Sequence, residues 1–140
     1  MRRLIIIVIK MRRFIFALTL CLLTASLVTA QQKEAVFTIV GDSIHDFGDI
    51  KEANGAVSHV FTIKNTGDAP LVISRATASC GCTQPDYTKD PIAPGKTGEI
   101  KVTYDPTGRP APFNKNVSVF SNGKNGSAIL WIKGNVEPKQ

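Results

Sequence analysis

Beyond its first thirty residues, the sequence predicts an all-β fold in which two sheets pack face to face. Three observations predict it. No segment carries the three-to-four-residue apolar spacing of an amphipathic helix. Short runs rich in Val, Ile, Phe and Thr alternate with clusters of Gly, Pro, Asn and Asp, the mark of strands and turns. Within the runs, apolar and polar residues alternate, as they do when one side of a strand meets a core and the other meets water.

Seven runs read as strands: Ala35–Val40, Ile44–Phe47, Ala56–Asn65, Leu71–Ala78, Gly98–Tyr104, Asn116–Ser121 and Ser127–Asn135. In the third, Val57, Phe61 and Ile63 share one face, with His59 in line between them. In the fifth, Ile100, Val102 and Tyr104 face one way and Glu99, Lys101 and Thr103 the other. Ile129-Leu130-Trp131-Ile132 is apolar on both sides and reads as a central or covered strand. The connections agree. Asn65-Thr66-Gly67-Asp68 supplies residues that cap their own turn or tolerate a left-handed backbone. Pro94-Gly95 suits a type II turn, and Asp105-Pro106-Thr107-Gly108 stops a strand. Asn122-Gly123-Lys124-Asn125-Gly126 suits a hairpin. Half-apolar strands of this number and length are buried by an Ig-like β-sandwich of about seven strands. The adjacent cysteines and the Trp on the last strand keep the likeness to antibody domains loose.

The first thirty residues read differently. Arg12 and Arg13 precede the apolar stretch Phe14–Leu23, and Val28-Thr29-Ala30 ends it with small residues suited to cleavage. Residues 1–30 are therefore expected to be a signal peptide, with Met11, which repeats the Met-Arg-Arg opening, as an alternative start. Cys21 has Leu20 before it and apolar residues after it, which argues against a lipid anchor. The chain holds 17 Lys and Arg against 11 Asp and Glu. Five of the bases and none of the acids lie in residues 1–30, leaving twelve against eleven. The basic pI thus belongs to the export segment and does not point to nucleic acid. The mature chain is expected to be periplasmic, held in the cell envelope, or secreted. About 110 residues suit one domain, here residues 31–136, with 137–140 as a polar tail.

Several segments then coincide in order: Asp46-Phe47-Gly48-Asp49-Ile50, Val60 to Ile73, Ser79-Cys80-Gly81-Cys82-Thr83, Ile92-Ala93-Pro94-Gly95 and Ser121-Asn122. This pattern resembles the bacterial DUF1573 family and, more distantly, Hydin-type and major-sperm-protein-like Ig domains. The resemblance runs from about Asp42 to Val136. It implies an exported single-sandwich module related by fold to interaction domains, and it assigns no chemistry.

The chemistry-bearing residues are few. Cys80-Gly81-Cys82 admits a tight disulfide, a buried thiol pair, a soft-metal clip for Cu or Zn, or a redox centre. A three-residue ring stabilises a fold little, because loop-closure stabilisation grows with loop length. Zinc held structurally wants four ligands, and the only nitrogen donors of the mature chain are His45 and His59. His59 reads as an inward histidine, and His45 lies beside Asp46, which a strand would point to the opposite face. No serine elbow, phosphate loop or acyl-transfer triad is present, and Asp86 and Asp90 fall short of a calcium loop. No catalytic residue, cofactor or enzyme activity is expected. The segment Cys82–Gly98 reads as a long crossover, so Cys80, Gly81, Cys82 and Tyr87 form a candidate interaction loop. Two functions follow. One is a non-enzymatic envelope module that binds a protein or surface polymer, with edge-strand addition as a mode. The other is a small metal or thiol protein centred on Cys80 and Cys82.

Overall fold

The computed structural model describes residues 5–7, 10 and 32–139. The chain divides into two compact units, Met1–Gln32 and Lys33–Gln140. In the first, residues 5–7 and 10 are helical, and the rest of the expected signal peptide, Cys21 included, lies outside the described residues. Among the described residues no helix is long and apolar enough to cross a membrane.

The second unit is all β. Its strands are β1 (Phe37–Val40), β2 (Ile44–Lys51), β3 (Val57–Asn65), β4 (Ile73–Ala78), β5 (Thr83–Tyr87), β6 (Thr97–Tyr104), β7 (Pro112–Ser121) and β8 (Ser127–Glu137). They form two four-stranded sheets in the orders β1-β3-β6-β5 and β2-β8-β7-β4. The first two strands thus enter different sheets: β1 pairs antiparallel with β3, whereas β2 runs parallel to β8. At the other side, β4 and β5 touch across the two layers.

The alternation read from the sequence packs the core. Phe61, Ile63, Ile100, Val102 and Tyr104 meet Val117, Val119, Leu130 and Ile132, all buried. Each fully buried aliphatic side chain contributes about 1.5–3 kcal/mol relative to exposure. Tyr104 stacks on Phe113 with ring centroids 4.0 Å apart. The chain turns at Ala93–Lys96 by a Lys96 N–H to Ala93 carbonyl bond of 3.0 Å, with Gly95 at φ 76° in the third position of a type II turn.

The fold departs from expectation in three places. There are eight strands rather than seven, because Thr83–Tyr87 pairs with β6 within the segment expected to be a crossover. Strand β2 extends through a bulge between Asp46 and Asp49, and β7 begins four residues earlier than expected, at Pro112. The Asn65–Asp68 turn needs no left-handed residue. Gly67 is required there for close approach, since a Cβ would press on the backbone of Glu34 and Val36. Asn65, wholly buried, anchors this corner. Its Nδ2 donates to the Ala69 and Ile92 carbonyls at 2.7 and 2.9 Å, and its Oδ1 accepts from the Gly67 and Val36 N–H groups at 3.0 and 3.3 Å. All four of its hydrogen-bonding positions are therefore filled.

Candidate functional site

Residues Ser79–Cys82 carry the chain from the edge of one sheet to the edge of the other. Both ends are fixed by the backbone. Ser79 N–H donates to the Asn116 carbonyl at 3.0 Å, and Asn116 N–H donates to Ser79 Oγ at 3.2 Å. Asp105 N–H donates to the Cys82 carbonyl at 2.9 Å, and Thr83 N–H closes the turn on the Cys80 carbonyl at 3.2 Å. Within this frame Cys80 and Cys82 form a disulfide, with Cα atoms 5.2 Å apart. That separation lies inside the range disulfides favour.

The two sulfurs sit in unequal surroundings. Cys82 is 6% exposed and belongs to the core, while Cys80 is half-buried. The buried Thr83 hydroxyl touches both, at 3.5 Å from Cys80 Sγ and 3.7 Å from Cys82 Sγ. Gly81 is exposed, has no positive φ, and faces open space. Its lack of a side chain is not needed for the bend.

Tyr87 does not join this group. It pairs with Ile100 at the far end of β5, four residues beyond Thr83. Its hydroxyl donates to the Ser74 carbonyl at 3.2 Å, and the Lys89 ammonium lies 3.2 Å from its ring centroid. Tyr87 therefore ties β5 to the start of β4.

The two histidines, distant in sequence, come together. His45 on β2 and His59 on β3 stack with centroids 3.6 Å apart and planes 7° from parallel. Phe47 and Phe61 meet their edges at 4.5 and 4.7 Å. Burial, and then the charge of His45, lower the His59 pKa from its ordinary value. Parallel rings aim their in-plane lone pairs side by side, so they do not converge on one ion. Asp46 instead pairs with Lys133 at 3.4 Å and accepts the Gly48 N–H at 2.9 Å. Among the described residues no three His, Cys, Asp or Glu side chains are grouped to hold a metal. Bonded to each other, Cys80 and Cys82 present no thiolate to a soft metal.

A surface that the sequence did not single out lies on the outer face of the β2-β8-β7-β4 sheet. The register places three rows across it: Ile44–Trp131–Asn116, Ile129–Ser118–Thr77 and Ser127–Phe120–Arg75. Ile44 and Ile129 are 53% and 51% exposed. Trp131 and Phe120 are half-buried and stand outside the core cluster. The Arg75 guanidinium covers Phe120 at 4.3 Å from its centroid. Ile44, Trp131, Ile129 and Phe120 thus form an apolar diagonal, bordered by Arg75 at one end and the Asp46–Lys133 pair at the other. The signal for it was Ile129-Leu130-Trp131-Ile132, apolar on both sides of an inner strand.

Comparison with known proteins agrees with the fold. A protein of unknown function from Porphyromonas gingivalis W83 is similar, at 17% identity and TM-score 0.63, over 78% of this chain and 50% of that one. The VesB protease of Vibrio cholerae is similar at 17% identity and TM-score 0.54, over 74% of this chain and 32% of its own. The secreted serine protease VesC from Vibrio cholerae gives 14% identity and TM-score 0.50, over 76% and 24%. The chain spans half or less of each of these structures, and at such identities they share its fold alone. No curated protein matches the chain. The model of the family described as "Protein of unknown function (DUF1573)" matches residues 38–136, most of the chain, and the protein belongs to that family.

Proposed function

We propose that this protein is an exported, non-enzymatic module of the cell envelope that docks a partner protein on the outer face of its β2-β8-β7-β4 sheet. One observation carries the reading: Ile44, Trp131, Ile129 and Phe120 line up across three strands of a face that no other described strand covers. Contiguous exposed apolar patches with a polar border mark interaction sites. Trp, Phe and Arg are the residues enriched at the centres of protein interfaces, which favours a protein over a polymer. Export rests on the composition of residues 1–30.

The face is a better docking surface than an edge. Strand β5 carries Pro85, which lacks an N–H, and β2 and β4 are bulged. Such irregularities blunt a strand edge against pairing. Strand β1 offers only four residues.

A photo-crosslinking residue placed at Ile129, and separately at Lys101 on the opposite face, tests the proposal in cells. The expected result is one protein adduct from position 129, absent from 101, lost on Trp131→Ser and rebuilt as a stoichiometric complex from purified components. Equal adducts from both faces, or only a polysaccharide adduct, would reject a protein-docking face. N-terminal mass analysis of the same protein checks export, with a start near Gln31 expected. An N-terminus at Met1 or Met11 in the purified protein would reject cleavage.

A further inference from the structure

We propose that the Cys80–Cys82 disulfide is a thiol-exchange site whose substrate is a dithiol. The inference is independent of the docking face. It begins from redundancy. The crossover is already held by Ser79 and Asn116 on one side and by Cys82 and Asp105 on the other. A ring of three residues adds little to that, because the stabilisation from closing a loop grows with its length. The bond is nevertheless the one group in this turn with chemistry of its own, and one of its two residues, Cys80, is only half-buried. Gly81 between them is exposed, and no atom beyond its two chain neighbours lies within 4 Å of the position its Cβ would take.

The asymmetry of the site sets a direction. Cys80, the half-buried residue, takes the attack at its Sγ, and Cys82 Sγ, in the core, is the leaving group. A thiolate of the substrate attacks Cys80 Sγ. A mixed disulfide forms, the Cys80–Cys82 bond breaks, and its electron pair stays on Cys82. The Thr83 hydroxyl, already 3.7 Å from that sulfur and buried, donates to the new thiolate. Hydrogen bonding to the charged form favours it, which makes Cys82 a better leaving group. The second thiolate of the substrate then attacks its own sulfur in the mixed disulfide and releases Cys80. The substrate departs as a disulfide. Its two electrons reduce the domain, and the two protons it lost end on Cys80 and Cys82.

The folded chain, treated with dithiothreitol and trapped with iodoacetamide without denaturant, tests this by mass. Both cysteines are expected to be alkylated while the far-ultraviolet circular dichroism is unchanged. Exchange should slow about tenfold in Gly81→Val, which adds a branched side chain between the two cysteines, and about threefold in Thr83→Val, which keeps the shape and removes the hydroxyl. Reduced glutathione, a monothiol, should reduce the bond less completely than dithiothreitol. With oxidised glutathione, Cys82→Ser should take an adduct at Cys80, whereas Cys80→Ser should leave Cys82 unmodified. A bond that resists dithiothreitol until the chain is denatured would overturn the proposal. So would a wild-type rate equal to that of Gly81→Val, or reduction that unfolds the domain, since either marks a structural link. The wild-type measurement stands even if a cysteine variant fails to fold.

Discussion

The two outer faces of the sandwich differ although the same strand alternation builds both. On the β1-β3-β6-β5 sheet the outward positions hold Ser58, Lys64, Glu99, Lys101, Gln84 and Asp86, and Ser58 shares a 2.8 Å hydrogen bond with Thr103. Exposed Val60 and Val40 stand there as a single diagonal pair. On the other sheet the outward positions of β2, β7 and β8 hold Ile44, Phe120, Ile129 and Trp131 in one connected diagonal. Small apolar groups are ordinary on a protein surface, and a connected row of four that includes a Trp and a Phe is not. Water suffices to satisfy the first face. The second keeps apolar area exposed at a solubility cost that a binding partner would remove.

The sharpest way to break the comparison is to set the two sides of β8 against each other. Leu130→Ala, on the buried side, should lower stability by about 2–5 kcal/mol in urea unfolding. Trp131→Ser, its neighbour on the outer side, should cost about 1 kcal/mol or less by the same measurement. Equal losses would mean that the outer diagonal is part of the core. Next comes Asn65→Leu, which leaves the Val36 and Gly67 N–H groups and the Ala69 carbonyl unpaired and should cost about 3 kcal/mol in the same urea assay, with no change in crosslinking at position 129. A smaller effect concerns the layers themselves. His59 has its pKa lowered on folding, so it binds fewer protons in the folded state than in the unfolded one. Its contribution is complete above its ordinary value of 6.5 and is lost as pH falls through that value toward the folded pKa. The Tm should therefore decline between about pH 7.5 and pH 5.5, and His59→Phe, which keeps a ring beside His45, should flatten that decline. A decline of the same slope in the variant would remove the stack as its cause. The smallest expected change is Lys101→Ser on the polar face, within about 0.5 kcal/mol by urea unfolding and without effect on docking.

Much of the fold was legible before any coordinates, because strand alternation is a local property. Ile100, Val102 and Tyr104 could be assigned to the core from their spacing, and the Pro94-Gly95 turn from its chemistry. Strand β5 was not legible. Gln84, Pro85 and Asp86 argue against a strand, and the pairing is tolerated because β5 is an edge, where a missing N–H need not meet a partner. The full length of β2 was hidden by the bulge, which shifts its alternation at Gly48. At the candidate sites, the cysteine pair stood out by its spacing alone. The His45–His59 stack and the outer diagonal did not, because each depends on residues from different strands meeting in register. Tyr87 is near the cysteines in sequence, but it ends β5 and the length of that strand separates them.

The parallel pairing of β2 with β8 has a consequence for the order in which the molecule is made. The second strand has its ladder partner 86 to 87 residues later, in the last strand of the domain. A nascent polypeptide emerging from the ribosome therefore cannot seat β2 until β8 has left the exit tunnel. Pairings of such long range are slow to form. His45 and its neighbours on β2 therefore meet their ladder partners only after the final strand has been made.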